Sequence, residues 1–395
     1  MKNVVVVGAS LAGVSAIEGL RERGYDGALT LIGAEPELPY DRPPLSKEVL
    51  CQHTGASNLE LHQRDWYADR RVVLRLGVAA TALDTDARTV TLADGGSVDY
   101  DGLVIATGSI ARPFSAPGSA PPPLTLRTRL DARRLDERLE AGQQLVVVGA
   151  GFIGLEVAAS ARSRGLEVTV IDLADEPLSR VFGAEVGAWF RRLHERHGVD
   201  VRCGTSLTAS NVDGGRTRVE FGHTSVLADH VVAGVGATPA IDWLAGSGLR
   251  IGDGIECAAD LSTSVPGVVA AGDVVSWPNE LFGERMRIEH WTNAIEQGRH
   301  AAGTLLGDHE PFRTVPYFWT DQYSAKARFV GRATASDDVH VERADDGRLV
   351  ALYGSRGVLR GAICVGAARE LAKQRKAIAE RTAWRDAVHA GAAPV

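Results

Sequence analysis

One turn is written into this chain twice. Residues 4–13 read VVVVGASLAG and residues 145–154 read LVVVGAGFIG, with the first glycines, Gly8 and Gly149, 141 positions apart. In each copy a short run of Val and Leu breaks into glycines and continues as helix-forming sequence. A strand that is apolar at every position belongs in a parallel sheet buried on both faces. The first glycine permits the tight turn, and the last lets the helix pack close to the strand. The helix N-terminus then offers its unpaired N–H groups to an anion such as a pyrophosphate. Two such βαβ units direct the chain into an α/β fold with two dinucleotide sites.

In the first copy, Val4–Val7 reads as the strand and Leu11–Arg23 as an amphipathic helix with Gly24 as its C-cap. A second strand, Ala28–Ile32, leads to Glu35. Gly8 and Gly13 fill two positions of the G-x-G-x-x-G pattern, and Ser10 stands at the middle one, where it crowds a phosphate slightly. The second copy has the full pattern in Gly149, Gly151 and Gly154. A helix over Phe152–Arg164 ends at Gly165, and a strand over Glu167–Ile171 ends at Asp172. An acid there accepts a hydrogen bond from a ribose 2′-hydroxyl. The residues that follow, Leu173, Ala174, Asp175 and Glu176, do not suit a 2′-phosphate, with Arg180 a little further on. NADH is therefore expected over NADPH.

At 395 residues the chain has room for two to four domains. The formal net charge of −7 argues against nucleic acid as the main partner. Cys51, Cys203, Cys257 and Cys364 are far apart, so metal-type spacings are absent and no metal site is expected. A disulfide framework is not expected, which fits a reducing compartment. No uncharged apolar run approaches the ~18–20 residues of a membrane span, and strand sequence follows Met1-Lys2-Asn3 directly. A soluble, cytoplasmic protein is the expectation.

Further apolar strands end in glycine. DGLVIATGS (101–109) ends in Ala106-Thr107-Gly108, and HVVAGVGATPA (230–240) contains Gly236 before Pro239. STSVPGVVAAGDV (262–274) ends in Gly272-Asp273. Asp273, at a strand's carboxyl end, is placed to bind a polyol such as a flavin ribityl chain, or to cap a helix. Two nucleotide sites in one chain suggest relay from a nicotinamide to a flavin.

These motifs, together with ELPYDRPPLSKEVL (37–50), GFIGLEVAAS (151–160), IEHWTNAIEQG (288–298) and PYFWTDQY (316–323), resemble a known group. They are the two-dinucleotide-domain flavoproteins of the glutathione-reductase type. Within them, the chain resembles the FAD-dependent, NADH-linked ferredoxin reductases of bacterial oxygenase systems, over nearly its whole length. The resemblance implies two Rossmann-like dinucleotide-binding domains plus a small C-terminal α/β domain. The FAD domain would be discontinuous, 1–110 and 241–314. The NADH domain would be inserted at 111–240, entered through the Pro-rich stretch Pro113–Pro123, and 315–395 would form a wall over the flavin.

The resemblance also implies residue roles. Gly8, Ser10 and Gly13 would lie at the FAD pyrophosphate and Glu35 at its adenosine ribose. Arg42 and Lys47 would reach the flavin, with Thr107, Gly108, Gly272 and Asp273 also on FAD. Gly149, Gly151, Gly154, Asp172 and Gly236 would hold NAD. Glu156 would pair with Lys47 at the hydride-transfer gap. Glu289 and Trp291 would flank flavin and nicotinamide, and Trp319 would pack near the isoalloxazine and face the incoming ferredoxin. Taken alone, Lys47 reads as a solvated cap and Glu156 as a surface helix residue.

Related disulfide reductases need a cysteine pair near the flavin, and IGAEPELPYDRPPLSK (32–47) has none. Cys51 reads as a free, buried thiol. The chain also lacks cysteines spaced for its own iron–sulfur cluster, so electrons must leave to another molecule. The resemblance implies a small acidic [2Fe–2S] ferredoxin supplying a cytochrome P450 or a ring-hydroxylating dioxygenase. From Arg356 onward there are eight Arg or Lys and three acids, a net +5, with 367–388 reading as one helix. Such a patch would steer an acidic partner to the region Arg356–Arg385. Other acceptors (rubredoxin, quinone, monodehydroascorbate), an apoptosis-inducing-factor-like redox sensor and a flavin monooxygenase are the alternatives; ELPYDRPPLSK (37–47) and EHWTNAIEQG (289–298) do not suit the last. The expected assembly is a monomer or weak dimer.

Overall fold

Val4, Val5 and Val6 are wholly buried, as a strand covered on both faces requires. The same holds for Leu145, Val146 and Val147 in the second copy. Each run forms the strand of a glycine turn in the computed structural model, which describes residues 1–52, 58–344 and 347–391. Along the chain run β1 (Asn3–Val7), α1 (Leu11–Glu22), β2 (Ala28–Gly33), β3 (Val72–Leu76), β4 (Gly102–Ile105), β5 (Gln144–Val148) and α2 (Phe152–Ser163). They are followed by β6 (Glu167–Ile171), α3 (Ser179–Arg196), β7 (Asp200–Arg202), β8 (His230–Ala233), β9 (Val268–Ala270) and α4 (Trp291–Leu305). The last part holds β10 (Tyr317–Gln322), β11 (Ala325–Gly331), β12 (Asp338–Ala344), β13 (Leu349–Ser355), β14 (Val358–Val365), α5 (Ala368–Ala379) and α6 (Trp384–Gly391).

The chain divides into two compact units, each discontinuous in sequence. The first comprises Met1–Asp41, Asn58–Ile110 and Thr238–Pro316. Its five-stranded sheet has the order β9-β4-β1-β2-β3, parallel throughout. Helix α4 crosses α1 at close range, because Gly298 sits where a Cβ would come within 2.4 Å of the Ala12 carbonyl oxygen. That crossing brings the turn after β9 to the start of α1: a Cβ on Gly272 would stand 3.0 Å from that of Ala12.

The second unit comprises Arg42–Ser57, Ala111–Ala237 and Tyr317–Val395. Its parallel sheet runs β7-β6-β5-β8. A five-stranded antiparallel sheet follows in the order β10-β11-β14-β13-β12. The Pro-rich stretch carries no helix or strand over 112–123 and is tied to Ser210 through backbone bonds from Ala120 and to Pro117. Helix α3 is interrupted at Gly183 (φ +79), and the hydroxyl of Tyr353 donates to the carbonyl of Phe182 beside the break.

Two expected elements differ. The single helix over 367–388 is two, α5 and α6, because Arg381 takes a left-handed conformation (φ +55) and Thr382 accepts from the backbone N–H of Leu359. The chain stops to pair with strand β14 and then starts again. Asp273 does not cap a helix: it lies in a turn closed by Val275 N–H donating to Gly272 O, and a strand follows over Val275–Asn279.

Candidate active site

The two glycine turns are built the same way, bond for bond. Gly8 N–H donates to Ile32 O at 2.8 Å, and Gly149 N–H to Ile171 O at 2.7 Å. Ala106 N–H donates to Val7 O, and Gly234 N–H to Val148 O, both at 2.7 Å. Gly8 (φ +120) and Gly149 (φ +106) occupy backbone space that L side chains rarely enter. A Cβ on Gly13 would come within 2.1 Å of Gly8 O, and one on Gly154 within 2.0 Å of Gly149 O. The middle position is different. A Cβ on Gly151 would meet nothing nearer than Gly234 O at 3.8 Å, so the protein leaves room there for a side chain such as that of Ser10.

Both helix starts are open to an anion. Neither α1 nor α2 has a side-chain cap or an acid in its first turn. The first N–H groups of each helix therefore keep their donors for a ligand. Around α1 stand the other first-unit candidates. Tyr40 donates to Glu35 Oε2 at 2.5 Å, Thr107 Oγ1 to Ala240 O at 2.8 Å, and Ser109 Oγ to Asp273 Oδ2 at 2.8 Å. Gly272 N–H donates to Gln297 Oε1 at 2.9 Å, inside the protein. Trp291 opens α4 and donates from Nε1 to Asp41 Oδ1 at 2.6 Å. Glu289 is exposed and pairs with Arg287, which also holds Asp253 at 2.9 Å and the Asp273 carbonyl at 3.2 Å.

In the second unit Asp172 buttresses its own turn. Its Oδ2 accepts from Ala150 N–H at 2.6 Å and its Oδ1 from Ala174 N–H at 2.7 Å. A carboxylate offers about four acceptor positions, so those two bonds leave Asp172 acceptor capacity for a ligand. Gly236 (φ +102) accepts from Arg112 N–H, and Arg42 Nη1 donates to Arg127 O at 2.6 Å.

Glu156 is not a surface residue. It is 4% exposed, and Lys47 Nζ lies 2.8 Å from its Oε2. Ser46 Oγ donates to that same oxygen, and Thr320 Oγ1 donates to Oε1 at 2.6 Å. A buried carboxylate needs such donors, since isolated burial of a charge is prohibitive. Helix and strand periodicities bring them together. Phe152 and Glu156 are four apart on α2, Phe318 and Thr320 two apart on β10, so each pair shares a face. Phe152 packs on Phe318 (ring centres 4.6 Å apart) as Glu156 meets Thr320. Trp319 points to the other face of β10, near Tyr317.

Sequence reasoning did not find Ser46, Gln322 or His194. Gln322 Nε2 donates to Thr320 Oγ1 at 3.1 Å, and His194 Nε2 bonds Gln322 Oε1 at 2.9 Å. The signal for Gln322 was the alternation of β10 from Thr320. Cys51 is exposed, not buried, and its Sγ donates to Ser160 Oγ at 3.2 Å, because its short helix presents it to solvent. The other three thiols are pushed up to about 12 by burial and are inert.

Comparison with known proteins agrees with this geometry. Residues 2–298 match the family model described as pyridine nucleotide-disulphide oxidoreductase, and residues 317–394 match one described as reductase C-terminal. The chain belongs to the pyridine nucleotide-disulphide oxidoreductase family. Within this family it is 38% identical over 380 residues to the ferredoxin–NAD(+) reductase component of the anthranilate 1,2-dioxygenase system of Burkholderia cepacia, covering 95% of this chain and 93% of the relative. It is 38% identical over 348 residues to putidaredoxin reductase of Pseudomonas putida, covering 86% and 82%. A crystal structure of the covalent putidaredoxin reductase–putidaredoxin complex superposes with a TM-score of 0.90 at 33% identity, covering 96% of this chain and 93% of that one. The oxidoreductase family makes FAD and NAD(H) the cofactors, and two uncapped glycine cradles fit two dinucleotides.

Proposed function

We propose that the chain is an FAD-dependent reductase that takes hydride from NADH and passes single electrons to an acidic [2Fe–2S] ferredoxin serving a cytochrome P450 or a ring-hydroxylating dioxygenase. The overall reaction is NADH plus two oxidised ferredoxins to NAD+, two reduced ferredoxins and a proton. Bound FAD supplies the change from a two-electron to a one-electron step. The observation that carries the reading is on one helix. The N-terminus of α2 is the second glycine cradle, and the buried Glu156, five residues in and so about 7.5 Å along the axis, holds the half-buried Lys47.

The roles follow from that arrangement. Gly149, Gly151 and Gly154 receive the NADH pyrophosphate, Asp172 its ribose, and Gly236 lines the same nucleotide. Gly8, Ser10 and Gly13 receive the FAD pyrophosphate, with Glu35 on the ribose and Thr107, Gly108, Gly272, Asp273 and Arg42 along the rest. The Lys47 ammonium meets negative charge as it builds on the acceptor ring, and Glu156 holds that ammonium in place. Glu289, Trp291 and Trp319 flank the reacting rings. FAD belongs to 1–110 and 241–314 and NADH to 111–240. No described helix is long and apolar enough to cross a membrane, and four free cysteines suit a reducing cytoplasm.

The test is an anaerobic titration. The holoenzyme's flavin bands should bleach with NADH and return when oxidised [2Fe–2S] ferredoxin is added. Bleaching with no return on any ferredoxin overturns the acceptor. Absence of a flavin band after reconstitution with FAD overturns the reading as a whole.

A further inference from the structure

A line of hydrogen bonds continues inward from the Lys47–Glu156 pair, and its far end is anchored by His194 and Tyr323. His194 is fully buried, on the inner stripe of α3 with Val186, Trp189, Phe190 and Leu193. Its Nε2 bonds Gln322 Oε1 at 2.9 Å, and Tyr323 OH stands 3.2 Å from its Nδ1. Each bond has one workable direction. Glu156 only accepts, so Thr320 donates to it. Gln322 then donates its amide N–H to Thr320 and accepts at Oε1 from His194 Nε2–H. His194 Nδ1 is left to accept the Tyr323 hydroxyl. Burial supports both ends: it holds His194 neutral, down to about 4, and pushes the Tyr323 phenol up.

The anchor is itself held under strain. Tyr323 and Ser324 are the two residues that turn β10 into β11, and Tyr323 sits at φ +54, where glycine is the ordinary choice. A tyrosine in that conformation is strained and persists only because its surroundings hold it there. Its ring is stacked on His197 (3.6 Å between centres, 6° between planes), which fixes the hydroxyl on His194.

We infer that His194 is a positioning residue for the reductase site: as the Nε2–H tautomer it orients Gln322 and Thr320, so that Thr320 engages Glu156 Oε1 and leaves Oε2 to Lys47 and Ser46. The line transmits orientation and not protons. The Gln322 amide carries its N–H and its acceptor on different atoms and breaks any proton-hopping path. The inference rests on the proposed roles of Lys47 and Glu156, while the tautomer it requires does not depend on any cofactor.

Two measurements test it. In two-bond 1H–15N spectra of histidine-labelled protein, His194 should show a protonated Nε2 and an unprotonated Nδ1, and the Gln322→Leu variant should lose that bias. The opposite tautomer in the unmodified protein overturns the direction of the line. In the holoenzyme, His194→Phe and Gln322→Leu should each slow flavin reduction by NADH about tenfold with Kd for NADH unchanged. His194→Gln, which restores a donor to Gln322, should recover the rate to within about twofold. Equal losses in His194→Gln and His194→Phe at matched Tm, or unchanged rates in Gln322→Leu, would show a packing role only. Should the unmodified holoenzyme fail to be reduced by NADH, the functional reading fails, while the spectra still decide the tautomer.

Discussion

Gly154 and Gly13 show how little freedom single residues have here. Each lies where a Cβ would come within 2.0–2.1 Å of a backbone carbonyl oxygen, far inside van der Waals contact. Gly154→Ala should therefore cost about 3 kcal/mol or more by overpacking and weaken NADH binding while flavin is retained; Gly13→Ala should lose the flavin. Gly151→Ser copies the first turn into the second and should shift stability by less than about 0.5 kcal/mol. Flavin content, NADH affinity and thermal melts separate the three. His194 makes a different prediction. Burial lowers its pKa from 6.5 to about 4, with His197 adding to the lowering and the Gln322 bond opposing it. The unfolded chain therefore binds a proton that the folded one refuses between those values. Its contribution is complete above pH 6.5 and is lost as pH falls to about 4, a loss of about 3 kcal/mol. Denaturant melts across that range should show it, and His194→Gln should remove it. A slope unchanged in His194→Gln would assign the acid sensitivity elsewhere.

At the scale of elements, the βαβ units were legible because their signals are local. Apolar runs, glycines and C-cap glycines at Gly24 and Gly165 give the strand and helix bounds to within a residue or two. The ion pair was legible only through motif resemblance, since nothing near Lys47 in sequence points to Glu156. Its supporting bonds were less so. Thr320, with Gln322 behind it, reaches Glu156 only after β10 docks on α2, Ser46 only after its own turn (Pro43–Ser46) packs there, and His194 had no more than its place on the apolar stripe of α3 to mark it. The break at Arg381 was hidden for a related reason: cations and alanines favour one long helix, and pairing with β14 overrides them. The Lys47–Glu156 contact also makes a prediction at this scale. Glu156→Leu leaves the Lys47 ammonium, 15% exposed, without its partner and should cost about 3–5 kcal/mol. The double variant Lys47→Met/Glu156→Leu should recover most of that, short by about 1 kcal/mol for each hydroxyl of Ser46 and Thr320 left without an acceptor. Denaturant unfolding of these two variants, of Lys47→Met alone and of the unmodified protein closes the cycle. A double variant no more stable than Glu156→Leu would mean that the ammonium is solvated and the cost lies in packing.

For the whole molecule, charge is distributed against its own net sign. The chain carries −7, yet the stretch from Arg356 onward carries +5. In α5 and beyond, Arg369, Lys373, Arg375, Lys376, Arg381 and Arg385 are exposed, while Gln374 and Ile378 turn inward. Arg360 is buried and takes no part in that surface. An exposed positive stripe on an acidic protein attracts a small acidic partner, and it acts on the encounter rate more than on the bound state. The expected result is specific to the acceptor. Lys373→Glu/Lys376→Glu should lower the association rate with an acidic [2Fe–2S] ferredoxin about tenfold at low salt. The difference should shrink as ionic strength rises toward 0.15 M, where the screening length is about 8 Å. Reduction of ferricyanide by NADH needs no protein docking and should be unchanged. Stopped-flow traces at several salt concentrations give all three quantities. An association rate that ignores both salt and charge reversal would move the docking surface away from α5.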